Sequence, residues 1–300
     1  MLPIAFHPIF KHPLPEGHRF PMLKYELLPQ QLLLEGIAVE SDFFEPELPD
    51  LELILAVHDK TYVSQLLDLT LDSKAARKIG FPLSAALVER ELRIANGTIV
   101  GCEKAFQTEI AFNIAGGTHH AFSNRGEAFC LLNDQAIAAQ YLLNQNLASK
   151  ILIIDLDVHQ GNGTAEIFKN NPQVFTFSVH GKTNYPFKKE TSDLDIALQD
   201  GTSDNDYLKI IKELIPKLIN REKPDFIFYL SGVDILATDK LGKLSCTIDG
   251  CKMRDEIVFS NCKKFQIPVQ CSMGGGYSPE IKTIIEAHTN TYRVAADIFS

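Results

Sequence analysis

The chain reads as an α/β protein built on one mainly parallel sheet with helices against both faces. Two patterns lead there. Apolar runs of strand length alternate with longer amphipathic stretches through the second half of the chain. The run around residue 150 is rich in Ile and Leu throughout, as a strand covered on both faces must be. No internal repeat or Pro/Gly/Ser-rich linker divides the 300 residues, so one domain over 1–300 is expected.

Up to residue 49 the sequence is proline-rich and gives no clear element. Helical patterning follows around Lys60 to Leu71 and Leu83 to Phe106. Glu109 to Ala115 reads as a strand, Asp134 to Asn144 as a helix, and Lys150 to Leu156 as a buried strand. Val174 to Val179 is another strand, and Asp204 to Asn220 a helix with Pro216 as a kink or stop. Asp225 to Leu230 and Ile267 to Ser272 read as strands, and Pro279 to His288 as a helix.

Composition narrows the function. A hydrophobic fraction of 45% with 22% charged residues is that of an ordinary globular protein. Lys+Arg 29 against Asp+Glu 38 leaves a net charge of −9, which repels phosphate backbones and speaks against direct nucleic-acid binding. No apolar run reaches the roughly 18 residues of a membrane span, so no membrane association is expected. Met1 to His12 show no basic patch followed by an apolar stretch, so a cytoplasmic location is expected. The six cysteines form no C-x-x-C pair and read as reduced, mostly buried thiols.

The decisive feature is where the unusual polar residues fall. Gly116-Gly117-Thr118-His119-His120 follows the strand at 109, and Asp155-Leu156-Asp157-Val158-His159 ends the strand at 150. Ser231-Gly232-Val233-Asp234 ends the strand at 225, and Gly274-Gly275-Gly276-Tyr277 follows the strand at 267. Ligands of open parallel sheets bind at the carboxyl ends of strands. Four such endings make a site.

Asp157 and His159, two apart, project to one side of an extended segment, and Asp234 reaches them from another strand end. Two carboxylates and one imidazole leave an open coordination position, the pattern of a catalytic metal site. The set fits Zn2+ and does not exclude Fe2+ or another first-row divalent ion. Taken without Asp234, Asp157 and His159 are also readable as a strand-end cap with a surface histidine. Two anionic ligands acidify bound water less than neutral ones do, so a separate base is wanted, and His119-His120 offer it. Asp155 and Asn162 are natural partners for the imidazole N–H groups. Tyr277 is a candidate donor to a developing oxyanion. Together these groups specify hydrolysis of an amide or ester. Gly274 to Gly276 alone would also suit a phosphate loop, but a tyrosine follows and no Lys-Ser/Thr does.

These residues resemble the histone deacetylase family, which includes acetoin-utilisation proteins and acetylpolyamine deacetylases. The matching runs are the four endings above, extended through Gln160-Gly161-Asn162-Gly163, together with Phe129-Cys130-Leu131-Leu132-Asn133-Asp134. They cover residues about 110 to 285 in order. Asp239 to Ser245 and Gln160 to Gly163 look most like the class IV and bacterial branch. The resemblance implies an arginase–deacetylase fold, metal ligands Asp157, His159 and Asp234, and His120 as the main general base and acid. It implies His119 as electrostatic partner and Tyr277 as carbonyl polariser. Phe129 and Tyr185 would line a channel gripping an alkyl side chain, with the Ala128 carbonyl beside the substrate if its φ is negative. Arg19 is a candidate for an internal product channel or for plain surface. A monovalent cation such as K+ near Asp155, Asp157, His159 and Ser178 is also implied.

Departures from the family pattern are specific. Asn162 stands where class I members carry Asp, which leaves His120 without an anionic partner. Ala128 replaces a glycine, and Tyr185 the more common Phe. The substrate-clamping carboxylate has no clear match, with Asp72 and Glu89 as unranked candidates. The leading expectation is therefore a metal-dependent hydrolase removing acyl groups from lysine ε-amines of proteins or peptides. The alternatives are a deacetylase of small acylated amines such as acetylpolyamines, and a non-catalytic acyl-lysine binding module. A two-manganese arginase is disfavoured, because Gln160 to Gly163 offers no further carboxylate.

Overall fold

Ile151–Asp155 and Phe226–Leu230 are buried at every position, which places them at the middle of a sheet covered on both faces. The computed structural model describes residues 1–299. Its strands are β1 (Ile4–Ala5), β2 (Phe43–Phe44), β3 (Ile110–Asn113), β4 (Ile151–Asp155), β5 (Val174–Gly181), β6 (Leu194–Leu198), β7 (Phe226–Leu230) and β8 (Val269–Ser272). They pair in the order β2-β1-β3-β8-β7-β4-β5-β6, parallel at every step. The sheet is thus wholly rather than mainly parallel. This is the arginase–deacetylase fold.

The helices are α1 (Lys24–Leu34), α2 (Leu51–Leu55), α3 (Lys60–Leu67), α4 (Ser73–Ile79), α5 (Ala85–Thr108), α6 (Asp134–Asn144), α7 (Asn162–Phe168), α8 (Asp204–Glu222), α9 (Ile248–Phe265) and α10 (Ile281–Phe299). Neighbouring side chains of β3 show how they divide. Gly101 of α5 lies over Ala111, whereas Phe112 stacks on Tyr292 of α10 at 4.3 Å and meets Phe259 of α9 edge-on. Successive strand residues face opposite ways, so α5 covers one face and α9 with α10 the other.

Three departures from the sequence expectations have physical causes. Helix α8 runs through Pro216 to Glu222, because its buried stripe of Tyr207, Leu208, Ile211, Ile215, Leu218 and Ile219 outweighs one missing N–H. Helix α10 continues past His288 although Thr289-Asn290-Thr291 follow. Those threonines are buried and satisfied: Thr289 donates to the Ile285 carbonyl and Thr291 to Asp255 Oδ2. Helix α9 has no counterpart in the sequence reading. Its buried face carries Arg254 and Asp255, which interrupt the apolar period.

Candidate active site

The four strand ends singled out by sequence belong to β3, β8, β7 and β4, which are consecutive neighbours in the sheet. Their polar residues therefore gather on one rim.

The loop after β3 is fixed by a single carboxylate. Asp134, at the start of α6, accepts from the Gly117 and Thr118 amides at 2.9 and 2.8 Å and from the Thr118 hydroxyl at 2.8 Å. Its other oxygen accepts from Thr98 of α5 at 2.6 Å and Ser272 of β8 at 3.2 Å. Gly117 takes a φ of +100, and a Cβ there would stand 2.9 Å from the Gly274 Cα. The two glycine loops press together here. Side chains are excluded by sterics as well as by conformation.

Asp157, His159 and Asp234 are buried, and their ligand atoms lie within 4.8 Å of one another. His159 Nδ1 is 3.0 Å from Asp157 Oδ1 and 3.1 Å from Asp234 Oδ2. Donors held about 2 Å from one tetrahedral centre are about 3.3 Å apart, so these spacings fit a shared ion. The outward oxygens are already fixed: Asp157 Oδ2 accepts from Gly275 N–H at 2.8 Å, and Asp234 Oδ1 from Val158 N–H at 3.0 Å. Burial and the Asp157 charge push Asp234 up to about 7. Burial opposes ionisation of Asp157 too, yet hydrogen bonding from His159 and the nearby imidazoles hold it well below the usual carboxylate range. Among the described residues no Lys or Arg forms an ion pair with either carboxylate. Two crowded carboxylates with one imidazole form a donor set that a divalent cation satisfies.

The tandem histidines have different partners. His119 Nδ1–H donates to Asp155 Oδ2 at 2.7 Å, and His120 Nδ1–H donates to the Asn162 amide oxygen at 2.6 Å. Burial disfavours charge on both rings. Asp155 overcomes it and raises His119, whereas burial with the His119 and His159 charges takes His120 well below the ordinary value. With Nδ1 as donor, His120 keeps a free electron pair on Nε2. The rings lie 4.1 Å apart, one partnered by a carboxyl group and one by an amide.

A cavity of about 400 Å3 opens above these groups, bordered by His120, His159, Phe129, Tyr185 and Tyr277. Phe129 packs against Phe20 and Phe81, and Tyr185 meets His120 edge-on at 5.0 Å while donating to Glu127 at 2.7 Å. Tyr277 is anchored by its amide on Asp239 at 2.6 Å. A smaller space of about 40 Å3 lies inward, reaching Tyr25 and Arg90. Arg19 borders the outer mouth, its guanidinium 5.0 Å from the Phe129 ring, so the arginine at the inner space is Arg90. Ala128 has φ +44 and Phe129 φ +71, which removes the negative φ on which the Ala128 carbonyl contact was conditioned. Asp72 caps α4 and Glu89 pairs with Arg93 along α5, and neither lines the cavity.

Residues 18–292 match the histone deacetylase domain family. The chain belongs to the histone deacetylase family. It is 44% identical over 99% of both chains to an uncharacterised protein of Picosynechococcus sp., and 33% identical to a probable deacetylase of Archaeoglobus fulgidus over 92% of this chain and 81% of that one. The crystal structure of an HDAC homolog from Aquifex aeolicus superposes with a TM-score of 0.85 at 24% identity, covering 98% of this chain and 84% of that one.

Three groups in this histone deacetylase family site escape the sequence reading of roles. Asp134 lies within the Phe129 to Asp134 run, whose sequence alone shows no role for it. Arg254 is fully buried beneath the loop that carries Asp234, donating to the carbonyls of Gly232 at 2.5 Å and Ser231 at 2.9 Å. Lys24, from the proline-rich segment, is also fully buried and donates to the Gly274 carbonyl at 3.0 Å. Burial pulls it down to about 8. A charged residue inside an apolar period is the only sequence sign that Arg254 offers.

Proposed function

We propose that this histone deacetylase family member is a metal-dependent hydrolase that removes acetyl or other acyl groups from lysine ε-amines of proteins or peptides. One observation supports this most: a three-donor cluster stands beside two imidazoles of opposite character, at the floor of an aromatic-walled cavity. Asp157, His159 and Asp234 would hold the ion, Zn2+ or Fe2+. When bound, it supplies Lewis-acid polarisation of the acyl carbonyl and a more acidic water.

The protein's own groups carry the protons. His120, uncharged at neutral pH, accepts a proton at Nε2 from the attacking water and returns it to the leaving amine. Asn162 holds the ring in that tautomer. His119, whose Nδ1–H is held by Asp155 and whose pKa that carboxylate raises, stands beside His120 as its electrostatic partner. The Tyr277 hydroxyl stays protonated under burial and donates to the oxygen where negative charge develops. Phe129 and Tyr185 clasp the apolar stem of the substrate and keep bulk water out. A structural K+ beside Asp155, Asp157, His159 and Ser178 belongs to the same reading, since the β4–β5 register sets Asp155 beside Ser178.

Turnover of an acetyl-lysine peptide by the purified protein, before and after chelation and with Zn2+ or Fe2+ returned, tests the reading. Loss on chelation with recovery by either ion is expected. Full turnover after complete metal removal, or none in the metal-loaded protein, would overturn it.

A further inference from the structure

Resting on the lysine deacylase reading above, we propose that the preferred substrate is an acyl-lysine flanked by acidic residues, and that Arg19, Lys78 and Lys243 recognise those flanks at the mouth of the cavity.

The chain carries a net charge of −9, yet the long charged side chains that line this cavity are these three cations, and no carboxylate lines it among the described residues. All three are exposed. Their existing partners leave their charge available. Lys78 stands 3.8 Å from Glu127, a carboxylate already engaged by Arg125 at 2.8 Å and by the Tyr185 hydroxyl at 2.7 Å. Lys243 stands 3.9 Å from Asp200 and donates to the Thr183 hydroxyl at 2.9 Å, a neutral partner that leaves its charge uncompensated. Ion contacts near 4 Å made by an exposed lysine hold little energy and exchange readily. Arg19 forms no ion pair among the described residues, and its guanidinium is held over the Phe129 ring. That stacking fixes a positive charge directly beside the channel wall. Phe187, 89% exposed on the same rim, offers an apolar face to a residue next to the acyl-lysine.

A cationic acylpolyamine would meet like charge on this rim, whereas a peptide with Glu or Asp around the acyl-lysine meets opposite charge. Rim charges act on encounter and binding more than on the chemical step, so the effect belongs in KM.

The test compares kcat/KM for one acetyl-lysine peptide carrying Glu, Gln or Lys at the flanking positions, and for an N-acetylated polyamine. The Glu peptide should exceed the Gln peptide by roughly three- to tenfold at low salt, through KM. The gap should shrink toward unity at about 0.5 M salt, where the Debye length is only a few ångströms. The triple variant Arg19→Gln, Lys78→Gln, Lys243→Gln should level the series, and the Glu triple variant should invert it. Equal wild-type rates on Glu and Gln peptides, or faster turnover of the Lys peptide, would overturn the proposal while leaving the deacylase reading intact. Faster turnover of the polyamine than of every peptide would overturn the proposal and move the substrate reading to small acylated amines. No turnover of any of the four substrates would overturn that reading, and this proposal with it.

Discussion

The ring of His120 rests its Nδ1–H on the amide oxygen of Asn162 at 2.6 Å, so the imidazole that faces the cavity is oriented by a neutral partner. Its neighbour His119 is oriented by a carboxylate. This asymmetry makes the first prediction quantitative. Asn162→Asp would place negative charge on Nδ1 and stabilise the imidazolium, raising the pKa of His120. A base must be unprotonated to act. The acid limb of kcat/KM should therefore move to higher pH, by on the order of one unit. A pH–rate profile of the variant that overlays the wild type would show that the pair does not set the base.

His120→Ala and Tyr277→Phe remove the proposed proton acceptor and the proposed oxyanion donor without opening the sheet. Each should reduce kcat/KM by at least about a hundredfold. Thermal melts near the wild-type midpoint would show the fold unchanged. Either variant retaining near-normal turnover removes that residue from its role.

Ala128 and Phe129 are consecutive residues in the left-handed region, pinned by amide donation to the Lys78 and Ile79 carbonyls at 2.9 and 2.6 Å. An alanine side chain is strained there, and glycine is not. Ala128→Gly should stabilise the protein by up to about 1 kcal/mol after the greater unfolded-state entropy of glycine is subtracted. Denaturant melts decide it: a lowered midpoint at unchanged slope contradicts the strain argument.

His58 gives a pH dependence of stability. It is buried, with Phe122 O 3.0 Å from Nδ1 and the Asn133 amide donating to Nε2 at 3.0 Å. That arrangement requires the neutral ring, and burial lowers its pKa from 6.5 to about 4. Between those values the unfolded chain binds the proton and the folded one does not, so stability is full above pH 6.5 and is lost as pH falls toward 4. The loss should reach about 3 kcal/mol. Urea melts across that range should show a shallower decline for His58→Gln than for wild type. An identical decline would assign the acid sensitivity elsewhere.

The residues of the candidate site were legible because they sit at the ends of unmistakable apolar runs. Asp157, Asp234 and Tyr277 each follow a strand that could be read from consecutive buried residues. Helix α6 was legible to its bounds because Asn133 caps it, accepting from Ala136 N–H at 3.0 Å. What escaped has an equally physical reason. Strands β1 and β2 are two residues long, too short for any periodicity. Helix α9 hides behind Arg254 and Asp255, whose burial is tolerated because they pair with each other at 2.8 Å and backbone carbonyls and hydroxyls from distant segments meet their remaining groups. The exchange of Arg19 for Arg90 at the inner space shows the same limit. Arg19 precedes an aromatic residue and Arg90 lies within a helix without one, yet only the path of the chain decides which of them faces inward.

The donor atoms of His159 and Asp234 come from segments 75 residues apart in the chain and from neighbouring strands. An ion shared between them would act as a clasp between β4 and β7, linking occupancy of the centre to the cohesion of the whole rim. Chelation would then loosen the scaffold as well as silence the chemistry, and heat resistance would report which metal the protein has in hand.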